Sequence, residues 1–249
     1  MMDSLNLPLI PNLACSSKEE ALNSPTGNLR LVEDLNYKFI FNDLFEEIEY
    51  SHNYETEDID IKSPAFLNHI NEMALKIKEE VDLDAKIIEI GCGKGYFVEL
   101  LENVGFTNCF GFDTTYEGNK KNFEKRYFED KDFNCKADCI ILRHTLEHIP
   151  SPQDFLKKII HINNNEKCKI FIEVPCFDWI LENSAYWDLT IEHCNYFTKK
   201  FFDNIFPGCK VEKVFDDQFI FVSSDVSNFK FLNKENKSDP INLKKFFQT

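Results

Sequence analysis

The feature that most constrains this chain is a short apolar segment that runs directly into three closely spaced glycines and then into an amphipathic stretch. The apolar segment is Lys86–Ile90, and the glycines are Gly91, Gly93 and Gly95. From residue 96 to 104, apolar side chains recur at helical spacing, which predicts a helix. Glycine permits tight backbone turns and leaves room for a ligand beside the main chain. The order of strand, glycine turn and helix therefore predicts an α/β fold with a ligand site at the turn.

The alternation of strands and helices continues on both sides of this turn. Predicted strands cover residues 108–112, 126–128, 137–142 and 169–174, and predicted helices cover residues 63–81, 117–125 and a stretch that begins at Ser151-Pro152. Strands that alternate with helices pair in parallel through right-handed crossovers. The sequence thus predicts a doubly wound, mostly parallel α/β sheet. Residues 210–214 and 218–223 predict an antiparallel hairpin at one edge of it.

Composition divides the chain into three parts. Residues 1–62 combine Pro, Asn, Ser and acidic clusters with short apolar pieces, which is typical of an N-terminal extension wrapped on a main domain. Residues 63–227 carry the alternating pattern and form the predicted ligand-binding domain. Residues 228–249 are polar and rich in lysine, which predicts a loose tail or a short helix.

The chain is acidic, with 43 Asp and Glu against 28 Lys and Arg, a net charge of −15. This balance opposes binding to phosphate backbones and anionic lipid surfaces, so we expect neither nucleic acid nor a membrane as a partner. No run of 18 apolar residues occurs, which argues against a membrane span or secretion. The nine cysteines are an odd number without a C-x-x-C pair, so we expect free thiols, no metal requirement and a cytoplasmic location.

The spacing of the glycines distinguishes between several classes of ligand-binding loop. A dinucleotide-binding run would need glycine where Tyr96 stands, and a P-loop would need Lys followed by Ser or Thr. The run instead reads Glu89-Ile90-Gly91-Cys92-Gly93-Lys94-Gly95, which resembles the E-x-G-x-G-x-G motif of class I S-adenosylmethionine-dependent methyltransferases. That resemblance implies a Rossmann-like fold with S-adenosylmethionine as the cofactor. The alternative is a glycine turn that only packs a helix on a sheet.

Two further segments agree with this resemblance. Asp113 ends the second predicted strand, where an acidic side chain accepts hydrogen bonds from the ribose hydroxyls of an adenosine-bearing cofactor. Residues 137–149, which include Leu146-Glu147-His148-Ile149, resemble the fourth strand of the family and the segment after it. The cofactor-binding residues that the resemblance implies are Glu89, Gly91, Cys92, Gly93, Asp113 and Thr114.

A narrower resemblance comes from the segment after the fifth strand. Glu173-Val174-Pro175, Asp188 and residues 192–198 are similar to segments of methyltransferases that modify nucleotide-linked sugars in surface-polysaccharide and antibiotic pathways. The resemblance implies that His193 is a catalytic base, that Glu192 is its partner or a sugar ligand, and that His148 is a second catalytic group. Histidine suits proton transfer near neutral pH. A purely structural role is the alternative for each histidine.

Three residues are predicted to face the acceptor. Arg143 is one of only three arginines and ends an apolar strand at the predicted cleft, where a guanidinium suits a phosphate or carboxylate. His144 follows it directly. Tyr50, with His52 and Tyr54, precedes an acidic run and is predicted to form a lid over the cleft. The alternatives are an ordinary surface ion pair for Arg143 and an aromatic loop packed on the core for the tyrosines.

These features together predict an enzyme that transfers a methyl group from S-adenosylmethionine to a small acceptor. The narrower resemblance favours an anionic sugar or a nucleotide-linked sugar, methylated on oxygen or carbon, in surface carbohydrate (capsule polysaccharide) biosynthesis. Two alternatives remain open: methylation of another small molecule, and a non-catalytic partner protein that keeps the fold. The sequence leaves the oligomeric state open.

Overall fold

The computed structural model describes residues 4–9, 15–35, 38–46, 62–132, 134–232 and 238–243. The strands are β1 (Leu5–Pro8), β2 (Thr26–Leu29), β3 (Leu31–Asp34), β4 (Phe39–Asn42), β5 (Ile87–Ile90), β6 (Cys109–Phe112), β7 (Phe123–Glu124), β8 (Cys139–Arg143), β9 (Lys169–Pro175), β10 (Asn195–Tyr196), β11 (Lys210–Val214), β12 (Phe219–Asp225) and β13 (Ser238–Pro240). The α-helices are α1 (Lys18–Leu22), α2 (Pro64–Glu80), α3 (Tyr96–Asn103), α4 (Pro152–Asn163), α5 (Phe177–Glu182) and α6 (Lys199–Ile205). Of these, α2, α3 and α4 lie where the sequence predicts helices.

Within the described residues, the central sheet has the strand order β11-β12-β9-β8-β5-β6-β7. The five strands from β9 to β7 pair in parallel, whereas β12 pairs antiparallel with both β9 and β11. The order runs outward from β5 in both directions, which is the doubly wound arrangement. The predicted mostly parallel sheet with an antiparallel edge hairpin is therefore confirmed.

The central strands are apolar on both faces because helices cover both sides of the sheet. Successive side chains of a strand point to opposite faces. Ile87 accordingly packs in one cluster with Met73 of α2 and Leu101 of α3, and Ile88 packs in another cluster with Leu156 of α4. Parallel strands in such a three-layer arrangement bring all their carboxyl ends to one edge, which is where open α/β sheets bind ligands.

A second, smaller sheet joins the N-terminal extension to the rest of the chain. Its strand order is β10-β4-β3-β13, all antiparallel, and β1 and β2 form a separate antiparallel pair. The prediction of a loose tail or short helix from residue 228 onward is wrong for residues 238–240, because they pair with β3. Both the extension and part of the tail are thus tied to the domain by backbone hydrogen bonds.

The predicted helix at 117–125 and strand at 126–128 are also wrong. The backbone of Phe123 pairs with Gly111 in β7, and its ring stacks on Tyr116 at 4.5 Å between centroids. Phe128 packs edge-on against Phe112 instead of extending a strand. No described helix is long and apolar enough to cross a membrane. All nine cysteines are free thiols, six of them buried.

Candidate active site

The predicted cofactor residues meet at the carboxyl edge of the sheet. The glycine turn follows β5, Asp113 follows β6, and Thr145 stands just beyond β8. Gly91, Gly93 and Gly95 have φ values of 80°, 51° and 87°, in the left-handed region that favours glycine. A Cβ on Gly91 would overlap the side chain of Thr145. The turn is therefore built for glycine, with its backbone close against the neighbouring strand segment.

Asp113 holds this turn directly. Its Oδ2 accepts a hydrogen bond from the Gly93 N–H at 2.8 Å, and its Oδ1 accepts from the N–H and hydroxyl of Thr115, both at 2.7 Å. A carboxylate has about four acceptor positions, so a half-buried Asp113 can still accept from a ligand. Thr115 was not predicted, and the Asx-type turn of an aspartate before two threonines is the signal that would have indicated it. The predicted contact of Thr114 with ribose stays a prediction.

Two other predicted cofactor residues lie beneath the turn. Glu89 is 2% exposed and Cys92 is 5% exposed. A Cβ on Gly111 would stand 2.6 Å from the Cys92 sulfur, so β6 and the turn pack without space between them. Neither side chain lines the surface of the site. The predicted role of Glu89 in orienting the loop or the cofactor's amino group, and the predicted cofactor contact of Cys92, stay predictions.

A buried ionic cluster centres on Glu173 of β9, which is completely buried. His69 Nε2 and His144 Nε2 lie 3.0 and 2.9 Å from its Oε1, and Arg143 Nη2 lies 3.2 Å from the same atom. The Arg143 guanidinium also stacks 4.2 Å from the centroid of the Phe97 ring. Burial raises the pKa of the Glu173 carboxyl, but Arg143 and the two histidines outweigh it and hold that pKa well below its usual range. Glu173 is therefore an ionised residue inside the protein.

This cluster contains two of the residues that the sequence predicts to bind the methyl acceptor. The Arg143 side chain is only 8% exposed and is engaged by Glu173, so its predicted binding of an acceptor anion stays a prediction. His144 has a left-handed φ of 48° and is 31% exposed. Burial lowers the pKa of His144, but Glu147 and Glu173 raise it to about 9. His69 was missed by the sequence reading, although a histidine inside the apolar stripe of a helix was a signal for a buried partner.

A second cluster joins the turn after β8 to the segment before β10. His148 Nδ1 lies 3.1 Å from the backbone carbonyl of Glu192, and the His148 and His193 rings are 4.9 Å apart between centroids. Because a carbonyl only accepts, Nδ1 of His148 carries a proton and donates this hydrogen bond. Glu147, 1% exposed, places Oε1 3.6 Å from His144 Nδ1. The structure thus brings His148 and His193 together beside the backbone of Glu192, with Glu147 in the same cluster, and the catalytic roles of these residues stay predictions.

The acid–base properties of this second cluster follow from burial and from its neighbours. Burial, followed by the nearby His148, lowers the pKa of His193 to about 3, so its ring is neutral near pH 7. Burial raises the pKa of the Glu147 carboxyl, but the hydrogen bond from His144 and the surrounding imidazoles outweigh it and leave that pKa below its usual value. The cluster therefore combines one carboxylate with at least one neutral imidazole.

The segment around Glu192 is fixed by hydrogen bonds to the turn after β8. The Cys194 thiol donates to the carbonyl of Glu147 at 3.3 Å, and the Asn195 amide donates to that of Leu146 at 3.2 Å. Glu192 itself is 2% exposed. Tyr50, His52 and Tyr54, the predicted lid residues, lie outside the described residues.

The comparisons with known proteins agree with this geometry. A family model described as a methyltransferase domain matches residues 67–208, more than half of the chain. The structure resembles that of a SAM dependent methyltransferase from Archaeoglobus fulgidus, with 16% identity and a TM-score of 0.53, over 70% of this chain and 99% of that one. It also resembles a SAM dependent methyltransferase from Aquifex aeolicus, with 15% identity and a TM-score of 0.50, over 72% of this chain and 100% of that one. A search among curated proteins found no match. At these identities, the structural likeness shows the fold.

Proposed function

Because the chain belongs to the methyltransferase-domain family, we propose that it transfers a methyl group from S-adenosylmethionine to a small, anionic sugar or nucleotide-linked sugar. The observation that carries the choice of cofactor is the hydrogen bond of 2.8 Å between the Gly93 N–H and Asp113. It places a carboxylate with unused acceptor capacity beside a glycine turn at the carboxyl edge of the sheet. Ribose hydroxyls donate hydrogen bonds, and such a carboxylate can accept them.

The cofactor supplies an electrophilic methyl group on a positively charged sulfur. Residues Gly91 to Gly93 would lie under its methionine part, with Glu89 orienting the loop and Asp113 and Thr114 bordering the ribose. The side chain of Thr145 contacts the glycine turn and donates a hydrogen bond to the Ile90 carbonyl, which supports a cofactor position close to the segment after β8. Proximity of this kind is a large part of the rate advantage of a group transfer.

The acceptor loses a proton when it gains the methyl group. For a hydroxyl acceptor, a new O–CH₃ bond forms as the S–CH₃ bond breaks, S-adenosylhomocysteine leaves, and the hydroxyl proton passes to a base. We assign this proton to the His148 and His193 pair, with His193 as the base. His148 is oriented by the hydrogen bond that its Nδ1–H donates to the backbone carbonyl of Glu192 at 3.1 Å. Glu192 is proposed as the partner residue that positions this pair.

The choice of a carbohydrate acceptor rests on the sequence resemblance of Glu173-Val174-Pro175, Asp188 and residues 192–198 to sugar methyltransferases. We also propose a cytoplasmic location, because nine free thiols suit a reducing compartment. His144, which is 31% exposed beside Glu173, is assigned to the acceptor side. Tyr50 is assigned to a lid over it.

Nucleotide sugars and polysaccharide fragments from cells with and without the gene test this proposal. We expect one or more of these compounds to carry an additional methyl group only when the gene is present. Re-expression of the wild-type chain should restore the methylated compound, whereas His193→Asn and Glu192→Gln should not. His161→Gln, which removes an exposed histidine of α4, is the matched control and should restore it.

Two results would contradict the proposal in different ways. If the methyl group appears on a compound that is not a carbohydrate, the acceptor class is wrong but the enzyme class is retained. If no metabolite changes and the His193→Asn chain restores every phenotype of the gene, the protein acts as a non-catalytic partner.

A further inference from the structure

We infer that Glu147, His148 and His193 form a binding site for one divalent transition-metal ion of the zinc class. The three residues come from two separate segments, the turn after β8 and the loop before β10. One ligand atom from each of them lies within 4.8 Å of the other two. Two imidazoles and one carboxylate are a donor set of zinc sites that keep an open coordination position.

The first support is a pair of buried atoms that the protein itself does not use. Within the described part of the chain, Oε2 of Glu147 and Nδ1 of His193 are buried without a hydrogen-bond partner. Glu147 is 1% exposed, so bulk water does not solvate this carboxylate. Buried polar atoms in native proteins nearly always have a partner, and each exception calls for a missing water or ion. Two of the five such atoms among the described residues lie in this one cluster.

The second support is the orientation of His148. Its Nδ1–H donates to the backbone carbonyl of Glu192 at 3.1 Å, so Nε2 is the candidate ligand atom of this residue. Metal-binding histidines characteristically donate their other ring N–H to a carbonyl or carboxylate, because that bond fixes the tautomer and aims the lone pair. The same carbonyl belongs to the residue before His193, so one backbone segment positions both imidazoles.

The geometry needs only a small adjustment. Ligand atoms around a tetrahedral zinc ion stand about 3.4 Å apart, given bonds of about 2.0–2.2 Å. The separation of at most 4.8 Å exceeds this spacing by at most about 1.4 Å, so binding requires the ligand atoms to move by that amount or less. The positive groups nearby do not compete for the same oxygen. His144 faces Oε1 of Glu147, and Arg143 is paired with Glu173.

A metal ion at this site has a definite consequence for the reaction. It would take the lone pairs of His148 and His193 that the proposed function assigns to the acceptor's proton. Metal binding and proton acceptance therefore exclude each other, and the ion acts as a reversible inhibitor of a transfer that needs no metal. Binding itself does not depend on the proposed function, whereas the inhibition does.

The experiment uses the full chain without an affinity tag, stripped of metal with a chelator that is then removed, and kept reduced. Co²⁺ is titrated in as a spectroscopic substitute for zinc and followed by its visible d–d absorption. We expect one Co²⁺ per chain with the intense bands of four or five coordination, abolished by an equivalent of Zn²⁺. His193→Gln and Glu147→Gln should weaken binding by about 100-fold or more. His161→Gln should bind as the wild type does.

Three results would overturn the inference. These are no intense d–d bands in the wild type, equal binding by wild type and His193→Gln, or a thiolate charge-transfer band, which would place the ion on cysteine. Circular dichroism and thermal unfolding of each variant show whether lost binding reflects lost structure, and Glu147→Gln preserves side-chain volume for that reason. S-adenosylhomocysteine binding, measured on the same metal-free samples, reports separately on the proposed function.

Discussion

Substituting Gly91 by alanine should destabilise the protein for two reasons that the structure separates. The residue has a φ of 80°, where an L side chain costs about 1–2 kcal/mol. The new methyl group would also overlap Thr145, and overpacking of this kind typically costs about 1–3 kcal/mol. A central value of about 3 kcal/mol corresponds to a decrease of about 6–12 °C in the melting temperature of a chain this size.

Gly208 provides a matched control for the first of these two costs. Its φ is 83°, nearly the same as that of Gly91, but a Cβ added there meets no atom within 4 Å. Gly208→Ala should therefore show the backbone cost alone, about 1–2 kcal/mol. The difference between the two alanine variants measures the steric overlap with Thr145.

Thr145→Ala tests the overlap from the other side. The single variant removes Oγ1 and Cγ2, and the lost hydroxyl hydrogen bond costs about 1 kcal/mol. In the double variant with Gly91→Ala, the Cβ of residue 145 would lie 3.0 Å from the new methyl group. The double variant should be more stable than the sum of the single losses predicts, by about 1–3 kcal/mol. Thermal and urea unfolding of the four proteins supply the cycle. Equal losses in Gly91→Ala and Gly208→Ala, together with simple additivity, would refute the proposed contact.

Two other substitutions test the charged groups. Arg143→Lys keeps the positive charge beside Glu173 but loses one guanidinium hydrogen bond and the stacking on Phe97, so the melting temperature should fall by about 2–4 °C. A raised Michaelis constant for the acceptor or the cofactor at an unchanged melting temperature would instead show that Arg143 binds a ligand directly. Burial raises the pKa of the Asp132 carboxyl, but the hydrogen bond and charge of Arg126 outweigh this effect and hold the pKa below 3.8. The ion pair therefore stabilises the folded protein above pH 3.8, and this stabilisation is lost as the pH falls through the lowered pKa. Asp132→Asn should melt below the wild type at pH 7 and match it well below pH 3.8, and a gap that persists in acid would exclude this ion pair as the cause.

The local parts of the fold could be predicted from the sequence because they depend on neighbouring residues. The turn at Gly91 to Gly95 and the helix that begins at Pro64 carry their signals within a few positions. The strand at Phe123–Glu124 could not be predicted in this way. Its position is set by Gly95 and Gly111, which leave space for the Phe123 ring from two other elements.

The same distinction holds for the candidate site. The resemblance to sugar methyltransferases implied acid–base roles for His148, Glu192 and His193, and the fold brings the His148 ring to the His193 ring and to the Glu192 carbonyl. The partner of Arg143 could not be predicted, because Glu173 lies on the neighbouring strand and was identified only as part of the resemblance to sugar methyltransferases. Contacts between strands depend on register, and a single sequence does not reveal which buried carboxylate faces which arginine.

The central claim is that this chain holds S-adenosylmethionine at the glycine turn through Asp113. Isothermal titration with S-adenosylhomocysteine, the demethylated product, tests it most directly. We predict one binding site in the wild type and unchanged binding by Asp84→Asn, which alters an exposed residue. Asp113→Asn should bind about 10- to 150-fold more weakly, because it loses a hydrogen bond to a charged acceptor worth about 1.5–3 kcal/mol. Absence of binding by the folded wild-type chain at millimolar concentration, or equal binding by Asp113→Asn, would contradict it.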